Sequence, residues 1–202
     1  PANNVKVQVF RKGSEGAQLV TKGIRVTYRL LNNTRSSNKT DFWQYASSYG
    51  FMGLKPNVGI TGNKLSGTMK LDAGRKYWEA EAIPVTPYDD QMKFDPLQVA
   101  RIEVRSTKTG KVIAIQPKIV VPVSDEMRCD YCHGPQDTAG SILQAHDAAN
   151  GTTLYADLQA GTRHACSQCH KDNALGAPGV AGVQPLSQAM HGFHADKMIG
   201  TT

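Results

Sequence analysis

The 202-residue chain holds only four cysteines and six histidines, and its first 128 residues contain neither. Thiol and imidazole chemistry is thereby excluded from the N-terminal three fifths, which must serve another purpose. No apolar run approaches the roughly 18 residues needed to span a bilayer, so no membrane span is expected. The 23 Lys and Arg exceed the 17 Asp and Glu, a formal charge of +6, but they are scattered without a dense run. Nucleic acid is therefore not expected as a partner. The chain opens at Pro1 without the basic stretch and apolar core of a signal peptide, and it reads as a processed, soluble form.

What cysteine there is lies in two copies of one pentapeptide, Cys129-Asp-Tyr-Cys132-His133 and Cys166-Ser-Gln-Cys169-His170. C-x-x-C-H is the attachment signature of c-type haem. On a helical turn residues i, i+3 and i+4 share a face, so both thiols reach the vinyl groups of one porphyrin while the adjacent imidazole reaches its iron. Two such turns predict two haem c groups, bonded through Cys129, Cys132, Cys166 and Cys169, with His133 and His170 as proximal iron ligands. Two disulfides, or one zinc between paired C-x-x-C ligands, would also use four thiols. Neither requires a histidine after each second Cys, and the gap from Cys132 to Cys166 exceeds the zinc-ribbon spacing of about 15–20 residues. Two oxidised haems would lower the formal charge to about +4, and two reduced ones to about +2.

The first 120 or so residues read as β structure. Val5, Val7 and Val9 alternate with Lys6 and Gln8, and Ile24, Val26, Tyr28 and Leu30 alternate with Arg25, Thr27 and Arg29, the period of half-buried strands. Further strands are expected at 69–71, 77–85, 99–105 and 111–121, with a hairpin turn at Thr107–Gly110. About seven short strands suggest an immunoglobulin-like sandwich over residues 1–123. Phe42-Trp43-Gln44-Tyr45 reads as a short helix plugging one end of it, with its aromatics as core.

From residue 124 to 202 the pattern is that of a small, mainly helical and irregular dihaem domain. Ser124 is a candidate N-cap for a short helix with Asp125 and Glu126 in its first turn. Ser141 is a candidate cap for a helix carrying Ile142, Leu143 and His146 and stopping at Asn150-Gly151. Leu154, Tyr155 and Leu158 mark another, ended near Gly161, and Ser187 is a candidate cap for a last helix with Met190, His191, Phe193, His194 and Met198.

For the distal ligands, His146, His164, His191 and His194 compete with six methionines, and Met/His ligation raises the potential over His/His. Four spare histidines confined to a two-haem segment favour bis-histidine coordination at both irons. His146 is the first choice for one haem and His191 for the other. His194, at i+3 from His191, faces the same side and is the alternative. His164, two residues before Cys166, reads as a surface or hydrogen-bonding residue, and Met127, Met190 and Met198 as packing.

The stretches Lys39-Thr-Asp-Phe-Trp43, Gly59-Ile-Thr-Gly62 with Leu65-Ser-Gly-Thr-Met69, Ala82-Ile-Pro-Val-Thr-Pro87, Val120-Val-Pro-Val-Ser124 and Leu186-Ser-Gln-Ala-Met-His191-Gly-Phe-His194-Ala195 carry a resemblance over nearly the full length. The chain resembles a family of exported bacterial multihaem c-type cytochromes with an N-terminal β-rich domain and a C-terminal C-x-x-C-H module. The family's Leu-x-x-His-Asp element is matched by Leu143-Gln-Ala-His146-Asp147, which supports His146, His191 and His194 as the distal set. Where the family has a second histidine before Gly-Thr, this chain has Asn150-Gly151-Thr152. The resemblance implies electron transfer, a periplasmic or cell-surface location after removal of an export signal, and redox proteins, other multihaem cytochromes included, as partners. Two other classes remain open at this level. One is a haem reductase or peroxidase with an open iron, in which His164 or a spare distal histidine donates protons and Asp147 orients it. The other is a subunit of a homo-oligomer or haem-bearing filament, assembled through exposed sheet edges.

Overall fold

The computed structural model describes residues 2–124, 129–173 and 175–198, excepting the side chains of Asp196 and Met198. The chain is mostly β-sheet with a few helices, in two compact units. One holds the described residues up to Gln44 and from Met52 to Ser124; the other holds Tyr45–Phe51 and the described residues from Cys129 onward. Residues 45–51, expected from the sequence within the β part, group with the helical unit. Tyr45 lies in the helical unit, where the Arg163 guanidinium sits 4.2 Å from its ring centre, a cation–π contact that its sequence neighbours do not announce. The helix expected from Ser124 through Asp125 and Glu126, and the packing of Met127, lie outside the described residues.

In the β-rich unit the strands are β1 (Asn3–Val7), β2 (Phe10–Gly13), β3 (Gly16–Leu19), β4 (Ile24–Leu30), β5 (Ser66–Thr68), β6 (Lys70–Asp72), β7 (Tyr77–Ile83), β8 (Leu97–Ser106) and β9 (Val112–Pro122). They form a three-stranded sheet β1-β7-β6, a hairpin β2-β3 and a four-stranded sheet β5-β4-β8-β9, with antiparallel pairing throughout. The period-2 pattern of β4 is realised in the structure: Ile24, Val26, Tyr28 and Leu30 are buried and the residues between them are not. They meet Ala100, Ile102 and Val104 of β8 in a cluster that also takes in Val5, Ala80 and Ile83, so the two larger sheets share one apolar core. Burial pushes the Tyr28 phenol up to about 12, and its hydroxyl donates to the Lys64 carbonyl at 2.7 Å. The β2-β3 hairpin carries no apolar alternation, and its residues are half-buried or exposed.

Polar side chains stitch the loops at one end. Asn33, fully buried, donates to the carbonyls of Thr86 at 2.8 Å and Tyr88 at 3.0 Å. The Lys39 ammonium, its side chain wholly enclosed, donates to Asn33 Oδ1 at 3.1 Å and to Asp90 at 3.0 Å. Partial burial raises the Asp90 carboxyl, but hydrogen bonds from the Thr34 backbone, Lys39 and the Thr34 hydroxyl more than offset the rise, so it titrates below its ordinary value. A carboxyl depressed on folding contributes stability above its unfolded pKa, and that contribution is lost as pH falls through the folded value. Asp90→Asn should therefore cost the β-rich unit about 2–3 kcal/mol at neutral pH, because it strands a buried ammonium. The loss should begin to shrink below pH ~4, where the unfolded chain's carboxyl protonates first, and should vanish only once the native carboxyl, held lower, is neutral as well. Urea midpoints at pH 7 and pH 3 check this, and a pH-independent difference would refute it.

The helical unit contains α2 (Asp130–His133), α3 (Thr138–Asn150), α4 (Leu154–Gln159) and α5 (Leu186–Met198), after the four-residue α1 (Phe42–Tyr45) at the junction. Asp137, not Ser141, caps α3 by accepting from the Gly140 amide at 3.0 Å, and Gly151 ends it in the left-handed conformation, φ 65°. The last helix likewise begins at Leu186, so Ser187 lies inside it. Among the described residues no helix is long and apolar enough to cross a membrane.

Candidate haem-binding site

The two pentapeptides fold alike. His133 N–H donates to the Cys129 carbonyl at 2.9 Å and Cys132 N–H to the same oxygen at 3.2 Å; His170 and Cys169 repeat this on Cys166 at 2.8 and 3.2 Å. Each is one helical turn, α2 in the first and a short 3-10 helix (Cys166–Gln168) opening the second. All four thiols are free and exposed. The second turn is strapped by the segment that follows it. Val180 N–H donates to the Cys169 carbonyl at 2.8 Å and Leu186 N–H to that of Lys171 at 2.9 Å. Gly179 makes the strap feasible: at φ 66° a Cβ would lie 2.3 Å from the Lys171 amide nitrogen.

Each motif histidine faces one histidine from a helix. His170 opposes His146 of α3 with ring centres 6.3 Å apart and planes crossed at 86°. His133 opposes His194 of α5 with ring centres 6.4 Å apart and planes crossed at 84°. Two metal–nitrogen bonds of about 2.0 Å and two ring radii of about 1.1 Å separate the centres of metal-bridged imidazoles by roughly 6.2 Å. Both pairs have that spacing.

In all four rings Nδ1 is engaged, which leaves Nε2 for a metal. His170 Nδ1 donates to the Gln184 carbonyl at 2.7 Å and His194 Nδ1 to the Met190 carbonyl at 2.7 Å. A carbonyl only accepts, so both rings carry their proton on Nδ1. His133 Nδ1 lies 3.3 Å from the Ser141 hydroxyl and His146 Nδ1 2.9 Å from that of Thr152. The Ser141 side chain thus faces His133 instead of capping a helix. His164 differs, for its Nε2 donates to the Asp157 carboxylate at 3.0 Å. His191 is exposed on α5 and is not part of either pair, so the first choice between His191 and His194 falls to His194. Met190 is exposed, while the Met198 side chain lies outside the described residues.

Among the described residues no three of His, Cys, Asp and Glu gather as a bare metal ion would require. A porphyrin makes a smaller demand, because it supplies four equatorial nitrogens and asks the protein for two axial ones. The residues present fit such a group: a thiol pair on a helical turn, an imidazole beside it, and a second imidazole across a gap of one metal's width. Thr152, Ser141 and Gln184, which hold the rings, had no signal in the sequence, since a hydroxyl or carbonyl partner is chosen by where the chain passes. No family model, curated protein or solved structure matches this chain.

Proposed function

We propose that this chain is a dihaem c-type cytochrome that passes single electrons between exported redox partners, its β-rich unit an immunoglobulin-like sandwich and its helical unit a cytochrome module. The observation that carries the reading is the pair of imidazole couples, His146–His170 and His133–His194, each at metal-bridging distance with Nδ1 already engaged. Haem iron, when bound, supplies the one-electron chemistry. The chain's residues do the rest. Cys129 and Cys132, with Cys166 and Cys169, would tether the two groups beside His133 and His170. His194 and His146 would supply the second imidazole to each group, and an iron so held favours a carrier over a reductase or peroxidase. Hydrogen bonds at Nδ1 hold each ring so that little rearrangement accompanies a change in charge.

Pyridine haemochrome quantification should give two haem c per chain. The oxidised protein should show only low-spin signals in low-temperature EPR. Crossed imidazole planes leave the two π-type iron d orbitals close in energy, so these signals should be strongly anisotropic. One haem or none, or a persistent high-spin signal from an open iron in the native protein, would overturn the assignment.

A further inference from the structure

We infer that Asp147 and Thr152 are positioning residues for His146, and that they set the midpoint potential at the His146–His170 position below that at His133–His194. The inference rests on the electron-transfer reading above. The Thr152 hydroxyl lies 2.5 Å from Asp147 Oδ1 and 2.9 Å from His146 Nδ1, whereas Nδ1 and Oδ1 are 3.9 Å apart, too far for a direct hydrogen bond. Valence fixes the directions. An ionised carboxylate only accepts, so the hydroxyl donates its one proton to Asp147 and is left to accept from His146 Nδ1–H. Nε2 then carries the lone pair.

The relay is anchored at every member. Asp147 also accepts from the Leu154 amide at 3.0 Å and the Tyr155 amide at 2.8 Å, and Asn150 Nδ2 donates to the His146 carbonyl at 2.9 Å. The Gly151 turn between α3 and α4 brings Thr152 back over His146. A carboxylate acting through a hydroxyl polarises the imidazole N–H and makes the ring a stronger donor, which favours the ferric state. The other three rings meet neutral partners at Nδ1: the Gln184 carbonyl, the Met190 carbonyl and the Ser141 hydroxyl. One position is therefore electronically distinct, and electrons would rest on the other.

Redox titration of the holoprotein, followed by absorbance and EPR, tests this. Wild type should give two separated one-electron waves. Thr152→Val should move the lower wave to more positive potential and leave the upper in place, Asp147→Asn should move the same wave in the same direction, and Thr152→Ser should restore the wild-type value. His146→Met, which raises potential by changing the ligand itself, marks which wave belongs to this position. Loss of low-spin character at one haem in Thr152→Val but not in Thr152→Ser would support the inference equally, since the hydroxyl would then be what holds the ring. Waves that stay fixed in Thr152→Val, or that both move by the same amount, would overturn it. Failure of the electron-transfer reading looks different: wild type itself would lack two low-spin haems.

Discussion

Replacing His194 with alanine should open one of the two irons, and replacing His191 with alanine should leave both closed. The two residues stand three apart on α5, so a helical wheel places them on nearly the same face and cannot choose between them. The choice comes from ring positions. His194 stands 6.4 Å from His133, and its Nδ1 is tied to the Met190 carbonyl one turn back. Phe193 flanks it at 5.9 Å between ring centres. Its removal leaves an axial position with no imidazole, and the haem beside His133 should turn high-spin in the ferric state and bind carbon monoxide when reduced. About half of the total haem should respond, because the other iron keeps His146 and His170. The His191→Ala protein should retain wild-type spectra and resist carbon monoxide. The reverse pattern, with His191→Ala opening an iron and His194→Ala not, would show that α5 presents its other histidine to the porphyrin.

Gly59→Ala should destabilise the β-rich unit by at least about 3 kcal/mol, a large fraction of what a domain of this size has. Gly59 is buried, and a Cβ there would fall 2.0 Å from the Ala82 carbonyl oxygen and 3.3 Å from the Pro84 ring. The obstacle is backbone that cannot withdraw. Ala82 sits at an irregularity in the β1-β7 ladder with φ 49°, and its amide is held by Asn4 Oδ1 at 2.8 Å. The loop is pinned to the same place, since Thr61 Oγ1 and Asn63 Nδ2 both donate to the Glu81 carbonyl at 2.7 Å. A methyl group would have to part this loop from the strand to which it is hydrogen-bonded. Urea denaturation followed by tryptophan fluorescence should show the midpoint falling sharply while the haem content is kept. A loss under about 1 kcal/mol would mean that the loop yields more easily than its hydrogen bonds imply.

Much of the β-rich unit is legible because strands that bury one face alternate: β4 follows the pattern residue for residue from Ile24 to Leu30, and β8 nearly so. Strand β9 is exposed along most of its length and is marked by its β-branched residues instead. The β2-β3 hairpin, with no buried face, left no periodic trace. The single expected strand near Met69 is two in the structure, β5 and β6, which pair with different sheets on either side of that buried side chain. Asp137 displaced Ser141 as the cap of α3 because both residues suit the role, and only the path of the chain decides which one reaches the first amides.

By itself the sequence determined the cofactor chemistry expected here. Thioether attachment needs two thiols and an imidazole within one helical turn, a requirement contained in five consecutive residues. It also confined that chemistry to the segment after Cys129, where every cysteine and histidine lies. Only the tertiary structure decided which histidine faces which, that Tyr45–Phe51 belongs with the helical unit, and that Thr152 links Asp147 to His146. The physical reason is range. Local periodicity fixes which face of a helix a side chain occupies, whereas the partner across a gap of 6 Å is set by how distant segments return, through turns such as Gly151 and Gly179 whose conformations no pattern of apolar residues encodes.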